Sequence, residues 1–213
     1  MVTAPAARRL PGRVVRLDPI ERADASGLFA ALDDERVWAA GYGGGPAGRP
    51  SDVAGMEAIV AAALMAHERE ERQPYVVRLI EDSALGAAGT MVGMTSLGDW
   101  DLVNERTHIG WTAYGPRWWA SAVNPECKLL LLGHAFDDCG FGRVKLQTDL
   151  RNDRSQAAIA RLGATREGVL RRHTRRADGS FRDTVVFSIL RDEWPSVAEG
   201  LRARLAADTG GSQ

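Results

Sequence analysis

The chain has 213 residues, of which 45% are hydrophobic and 26% are charged, and its formal net charge is -1. This composition predicts a single globular domain over residues 1–213, and the near-neutral charge disfavours a general attraction to nucleic acid or to anionic membranes. No run approaches the roughly 18 apolar residues of a membrane span, and the N-terminus lacks the apolar stretch of a secretory signal. We therefore expect a cytoplasmic protein.

The first half of the chain predicts one strand, two helices and a meander. A strand covers 14–17, and the apolar spacing over 20–32 is that of an amphipathic helix. A loop rich in glycine and proline follows at 41–50, and Ser51 is the predicted N-cap of a second helix that extends to about His67. Three strand-like runs joined by short turns then favour an antiparallel arrangement, at 75–80, 89–96 and 106–113.

The second half predicts helices between strands and then a hairpin. A helix over 124–138 is closed by Gly140, and Asp178-Gly179 is typical of a hairpin turn. The remaining elements are a strand at 143–148, a helix at 153–162, hairpin strands at 166–175 and 181–190, and a C-terminal helix. The order βααβββαβαββ plus a helix indicates an α/β (α+β) fold with one mixed sheet. We expect order from about residue 12 to about 205, between short flexible tails at 1–11 and 208–213.

Two features argue against common alternative sites. Cys127 and Cys139 lie in an apolar helical stretch without metal or redox spacing, which predicts buried free thiols and no metal site. The glycine-rich loop follows no convincing strand and lacks a GK[ST] ending, so it is interpreted as a flexible loop and not as a nucleotide-binding motif.

A junction of small residues lies between a predicted strand and the start of a helix, in the stretch Arg117-Trp118-Trp119-Ala120-Ser121-Ala122-Val123-Asn124. Backbone N–H groups at a helix start have no intrahelical partner and bind phosphate readily. Small side chains permit close approach, so this junction is a candidate phosphate site.

Three segments resemble the GNAT superfamily of N-acetyltransferases, in the branch similar to RimJ and RimL, from Val14 to Trp194. His108-Ile109-Gly110-Trp111 and Arg117-x-x-Ala120-x-Ala122 resemble the family's fourth strand and pyrophosphate loop. Asn152-x-x-Ser155 with Leu162-Gly163-Ala164 and Glu167-Gly168 resembles its N-x-x-S helix. The segment from Arg171 to Trp194 resembles the closing hairpin of the branch.

The resemblance implies a central mixed, mostly antiparallel sheet flanked by helices. It implies transfer of an acetyl group from acetyl-CoA to a primary amine, of a protein N-terminus or a small molecule, by direct attack in a ternary complex. It assigns the pantetheine contact to Asn152, the approach to the sulfur to Ser155, and the remaining donor contacts to Arg117, Ala120, Ser121, Ala122, Val123 and Asn124. Ala120 replaces a family glycine, and alanine suits the position unless its φ is positive.

The candidate catalytic residues are His108 and Ser155. His108 occupies the position of the family's glutamate base, where a histidine near its ordinary pKa would suit proton transfer. It is equally compatible with a polar residue on the solvated side of a strand. The family's tyrosine acid has no counterpart within 158–160, so Ser155 is the candidate donor of a hydrogen bond to the departing thiolate.

Several alternatives stay open. The arginines of the hairpin are compatible with a solvated face, an acidic substrate, the 3′-phosphate of CoA or RNA. The chain could also be a non-catalytic acyl-CoA-binding or sensor domain, or use a longer acyl-CoA or an aminoacyl-tRNA as donor. The partners expected are acetyl-CoA and an amine, without a membrane or nucleic acid, and a homodimer is left open.

Overall fold

The computed structural model describes residues 1–39 and 41–210, with the backbone alone at 208–210. The strands are β1 (Leu10–Pro11), β2 (Val15–Pro19), β3 (Arg72–Leu79), β4 (Met91–Asp101), β5 (Arg106–Tyr114), β6 (Arg143–Asp149), β7 (Thr165–Arg175) and β8 (Phe181–Leu190). The helices are α1 (Ala25–Leu32), α2 (Glu35–Ala39), α3 (Val53–Glu68), α4 (Val123–Gly133), α5 (Asp153–Ala160) and α6 (Trp194–Gly210). Every strand and long helix predicted from the sequence is present.

The strands form one eight-stranded sheet in the order β1-β2-β3-β4-β5-β6-β8-β7. All neighbouring pairs are antiparallel except β5 and β6, which run parallel because α4 carries the chain across between them. The predicted mixed, mostly antiparallel sheet flanked by helices is therefore confirmed.

The parallel pair is short. Only three residue pairs join β5 to β6, ending with His108 opposite Lys145. Beyond them β5 stays paired to β4 as far as Tyr114, whereas β6 stays paired to β8 as far as Asp149. The two strands therefore separate toward their C-terminal ends and leave an opening in the middle of the sheet.

Helices cover both faces of the sheet. Helices α1 and α3 pack against each other and against β4 and β3, while α4 packs against β2 and α6. The core lies between these layers and contains large side chains with almost no exposure, among them Leu17, Trp38, Met56, Tyr75, Met94, Leu131, Phe136 and Phe141. The opening is thus set in a rigid scaffold.

A buried carboxylate fixes the start of α4. Glu126 accepts hydrogen bonds from the backbone N–H groups of Arg13, Val14 and Val15, at 2.7, 2.6 and 2.6 Å. Three donors compensate for the burial of this carboxylate, which is 3% exposed. The contact ties the first turn of α4 to the beginning of β2.

Some boundaries differ from the predictions. Asp52, and not Ser51, caps α3, because the Asp52 carboxylate accepts from the backbone N–H of Gly55 at 2.8 Å. Strand β1 and helix α2 were not predicted, because they contain two and five residues and carry little periodicity. Helix α4 continues into a π-helical turn, His134–Asp138, so the predicted helix to residue 138 is present with a change of winding.

The N-terminal segment, predicted as a flexible tail, contacts the rest of the domain at several points. Pro5 and Leu10 are buried, and the backbone N–H of Thr3 donates to the carbonyl of Cys139. Arg8 forms an ion pair with Asp138. Apolar burial and backbone pairing therefore dock this segment, whereas the composition alone indicated a solvated tail.

At the C-terminus, part of the predicted flexible tail belongs to a helix. Helix α6 extends to Gly210, beyond the residue at which the predicted tail begins, while residues 211–213 of that tail lie outside the described residues. Cys127 and Cys139 are free and buried, as predicted. Among the described residues, none of the helices combines the length and hydropathy that a bilayer crossing requires.

Candidate functional site

The opening between β5 and β6 begins at the pair His108 and Lys145. On the side of β5 that faces the opening, no strand of the described chain pairs with residues 109–114. Backbone N–H and C=O groups on such an edge need partners other than a ladder. This edge is therefore suited to an extended ligand that carries amide groups.

A bulge shapes the β5 side of the opening. Trp111 has a φ of 50°, and the β4–β5 register shifts between Met94 and Ser96. The indole is 37% exposed, and the Arg72 guanidinium lies 4.8 Å from the centre of its ring. Gly110 precedes the bulge, and a Cβ there would meet His108 Nε2 at 2.2 Å, so the histidine ring requires glycine at this position.

His108 stands at the closed end of the opening. Its Nδ1 lies 3.0 Å from the carbonyl oxygen of Lys145 and, as the neutral tautomer, donates to it, which leaves Nε2 as an acceptor. The side chain is 4% exposed, so the interpretation as a residue on a solvated strand face is wrong. Burial lowers the pKa of His108 to about 4, so the expectation of an ordinary pKa is also wrong.

The predicted phosphate loop follows β5. A 3-10 turn, Pro116–Trp118, places the Trp118 indole N–H on the carbonyl of Leu85, while the Trp119 indole N–H donates to Tyr114. Both tryptophans hold the loop, Trp118 from within the core, and Arg117 is exposed beside the Trp118 ring.

The loop presents unused backbone donors. In the part of the chain that the structure describes, the N–H groups of Ala120, Ser121, Ala122 and Asn124 donate to no oxygen, and that of Val123 has only the Ser121 hydroxyl, at 3.3 Å. They stand at the N-terminus of α4, where the helix dipole favours negative charge. These donors belong to the residues that the sequence predicted as a candidate phosphate site.

Ala120 adopts the conformation that would favour glycine. Its φ is 56°, in the left-handed region. A β-carbon in this region costs roughly 1–2 kcal/mol. Alanine was expected to suit this position only if its φ were not positive. Because the φ is positive, the backbone of the loop is strained at Ala120.

Helix α5 faces the loop across the opening. The Asn152 side chain accepts from the backbone N–H of Ser155 at 3.0 Å and so caps the helix. In the same first turn, the Arg154 guanidinium lies 3.2 Å from the centre of the Trp119 ring. This cation–π contact spans the opening from α5 to the loop, so the structure brings the two predicted donor-binding motifs together.

The comparisons with known proteins agree with this geometry. The profile of the family described as Acetyltransferase (GNAT) domain matches residues 15–165, which is more than half of the chain. The chain belongs to the GNAT acetyltransferase family. It is therefore an acyltransferase.

Three relatives illustrate the similarity. A GCN5-related N-acetyltransferase from Brucella melitensis is 28% identical, with 100% of this chain and 93% of that chain covered and a TM-score of 0.84. The structure of Mycobacterium smegmatis RimJ in complex with CoA-disulfide shares the fold at 22% identity, with 92% and 91% covered and a TM-score of 0.74. The protein named "Putative ribosomal N-acetyltransferase YdaF" of Bacillus subtilis (strain 168) is 29% identical over 106 residues, which are 50% of this chain and 57% of the relative. The chain thus matches little more than half the length of that curated relative.

Residues that the sequence reading did not select also line this GNAT site. Several buried polar side-chain atoms have no hydrogen-bond partner among the described residues. Three of these atoms belong to Arg72 (Nε), Ser96 (Oγ) and Gln147 (Oε1). By strand register and alternation, they lie on the same sheet face as His108. The three residues belong to three different strands, so no local pattern indicated them, because only the pairing of distant strands brings them to one face.

A buried lysine lies on the opposite face, beneath β5. Lys128 of α4 donates from Nζ to the hydroxyl of Thr112 at 3.2 Å, and that hydroxyl lies 2.8 Å from the Thr95 hydroxyl. Burial lowers the pKa of Lys128 to about 8. Lys128 was not among the predicted site residues, and its position beneath β5 emerges only from the fold.

The strain at Ala120 predicts a stabilising substitution. Ala120→Gly should raise the free energy of unfolding by about 0.5–1 kcal/mol, because glycine adopts positive φ without the β-carbon penalty. Urea unfolding followed by fluorescence measures the change. Ala62→Gly is the control, since Ala62 is an exposed residue in the interior of α3, where glycine should lose stability. Equal effects of the two substitutions would contradict the proposed strain.

Burial of neutral His108 predicts a dependence of stability on pH. The folded pKa of about 4 lies below the unfolded value near 6.5, so the unfolded chain binds the proton first as the pH falls. The resulting loss of stability between about pH 6.5 and 4 should be smaller in His108→Gln by about 1–3 kcal/mol. Urea unfolding at pH 7.5, 5.5 and 4.5 measures it, with His173→Gln on the exposed hairpin as control. Parallel curves for wild type and His108→Gln would count against a buried neutral imidazole.

Proposed function

We propose that this GNAT enzyme transfers an acetyl group from acetyl-CoA to a primary amine by direct attack in a ternary complex. The observation that carries the proposal is the opening between β5 and β6, bordered by free backbone donors at 120–124 and by the first turn of α5. An anionic group at the loop and an amide-bearing chain along β5 would satisfy groups that the fold leaves unpaired.

The donor-binding residues follow from this arrangement. The N–H groups of Ala120, Ser121, Ala122, Val123 and Asn124 would hold the pyrophosphate, and exposed Arg117 would add a charge contact. Asn152 would bind the pantetheine arm in addition to capping α5. The CoA-disulfide bound to Mycobacterium smegmatis RimJ, a protein with the same fold, supports CoA as the carrier. When bound, acetyl-CoA supplies the acetyl group as a thioester that an amine attacks.

Proton handling is assigned to His108. Its Nδ1 is engaged by the Lys145 carbonyl, so Nε2 is the atom that accepts an N–H of the incoming amine. With a pKa of about 4 it is a weak base, suited to orienting a neutral amine and to accepting a proton only once attack has made that proton acidic. The enzyme would therefore depend on an acceptor that arrives uncharged or transfers its proton to water.

Ser155 is proposed to stabilise the leaving group. It stands in the first turn of α5 and is half-buried, with its backbone N–H donating to Asn152. A hydroxyl donor at that point would form a hydrogen bond to the departing thiolate. The strained Ala120 and the absence of a tyrosine hydroxyl at 158–160 favour one competing candidate, a CoA-binding domain without turnover.

Calorimetry with acetyl-CoA tests the donor site, with two substitutions that separate the roles of Asn152. Asn152→Asp retains an oxygen that caps α5, whereas Asn152→Ala removes it and costs about 1 kcal/mol of stability. If the amide contacts the donor, both variants should bind acetyl-CoA at least about fivefold more weakly, although only Asn152→Ala loses stability. Unchanged affinity in Asn152→Asp would restrict Asn152 to capping.

Release of CoA thiol with a panel of primary amines then distinguishes transferase from binding domain. Wild type should release thiol with at least one amine, and Ser155→Ala should lower kcat without changing the affinity for acetyl-CoA. Tight acetyl-CoA binding with no release across peptides and small amines would support the non-catalytic candidate. The absence of binding to any CoA species would contradict the proposed function.

A further inference from the structure

A cavity of about 460 Å³ lies between the glycine-rich loop and the tip of the β7–β8 hairpin. Its lining includes Gly43, Gly44, Arg175, Arg176, Ala177 and Arg182. The backbone N–H of Ala177 donates to the carbonyl of Gly44 at 3.2 Å, which joins the loop to the hairpin at one end. The walls therefore combine small residues with three arginines.

The cavity carries an excess of positive charge. Arg176 is neutralised by Asp149, at 2.5 Å between guanidinium and carboxylate. Arg175 and Arg182 form no ion pair with any acidic group of the described chain. Arg182 is half-buried, and its Nε donates to the hydroxyl of Thr184 at 3.0 Å, which holds the guanidinium beside Asp149 and not out in solvent. Asp149 is already paired with Arg176, and a half-buried guanidinium that forms no ion pair of its own is a binding group for an anion.

The cavity lies on the face of the sheet that His108 occupies. Lys145 is level with His108 across the parallel pair, and Asp149 lies four positions further along β6 on the same face. Gly41 packs over Asp149, since a Cβ at Gly41 would lie 3.6 Å from its carboxylate. Four residues of strand correspond to about 13 Å along β6 between the level of His108 and the level of Asp149, beside which the Arg182 guanidinium lies.

We propose that the acceptor is a peptide N-terminus that carries an acidic side chain at about its third or fourth residue. This inference rests on the proposed transfer to an amine beside His108. An extended peptide advances about 3.3 Å per residue, so roughly four residues place a carboxylate at Arg182 while the α-amino group lies near His108. In a free amino acid the carboxylate is adjacent to the amine and does not span this distance.

The position of the cavity disfavours the 3′-phosphate of CoA as its occupant. The free N–H groups of the phosphate loop stand at the start of α4, and α4 packs on the sheet face opposite His108, where Lys128 reaches Thr112. The arginines face the acceptor side, beneath the glycine-rich loop. If the 3′-phosphate of CoA occupied the cavity, Arg182→Gln would weaken acetyl-CoA binding. If an acidic peptide occupies it, Arg182→Gln would leave acetyl-CoA binding unchanged.

The experiment compares two hexapeptides, free at the N-terminus, that differ only in Glu or Gln at residues 3 and 4. Their acetylation is measured as kcat/KM, and their affinity by fluorescence anisotropy in the presence of CoA. Wild type should prefer the Glu peptide by about tenfold or more, the range of a charge-assisted hydrogen bond. Arg182→Gln should reduce the preference to less than about threefold with an unchanged Kd for acetyl-CoA.

Arg171→Gln is the matched control, because Arg171 has the same charge on the same hairpin but is exposed and outside the cavity. It should retain the full preference. Equal kcat/KM for the two peptides in wild type would overturn the inference, and so would a preference for the Glu peptide that survives in Arg182→Gln. A variant Arg182→Gln that loses only affinity for acetyl-CoA would also overturn it. Selective binding of the Glu peptide, lost in Arg182→Gln but without acetylation, would support the anionic subsite and overturn the transferase function instead.

Discussion

The separation of β5 from β6 after three residue pairs is the constraint on which the site depends. A sheet that stayed paired along both strands would place the start of α4 and the start of α5 above a closed ladder. Because the strands part at His108 and Lys145, the loop after β5 and the helix after β6 border a gap, and β5 presents an unpaired edge between them. The bulge at Trp111 and the glycine before it leave room for the His108 ring at the point of separation.

The two sides of the gap differ in chemistry. On the α4 side, backbone donors and buried Lys128 favour the phosphates and amides of a donor. On the face of His108, unpaired polar atoms and the arginines of the hairpin favour a polar, anionic acceptor. Under the proposed function, the two substrates would enter from these two sides and meet beside His108, which is buried and neutral. A neutral His108 would accept an N–H from the amine, whereas a protonated imidazole would repel the positive charge that develops on the attacking nitrogen.

The sequence was informative wherever the function depends on local chain geometry. The loop before α4 and the start of α5 are runs of neighbouring residues, so small side chains before a helix and the Asn152-x-x-Ser155 spacing indicated where these two candidate motifs lie. The pKa of His108 and the φ of Ala120 depend on burial and on the path of the loop, and both differed from expectation. Arg72, Gln147 and Arg182 come to lie on one face of the sheet only through the pairing of distant strands. No local pattern therefore indicated that they share this face.

Hydrogen–deuterium exchange with and without acetyl-CoA tests the central claim that the donor occupies the gap between β5 and β6. The account predicts slower exchange in peptides that cover 110–114 and 119–124 when acetyl-CoA is added. Peptides of the hairpin tip at 175–182 should be unchanged by the donor alone and become protected only when the acidic peptide is also present. Protection by acetyl-CoA at the hairpin, with none along β5 or the loop, would contradict the account.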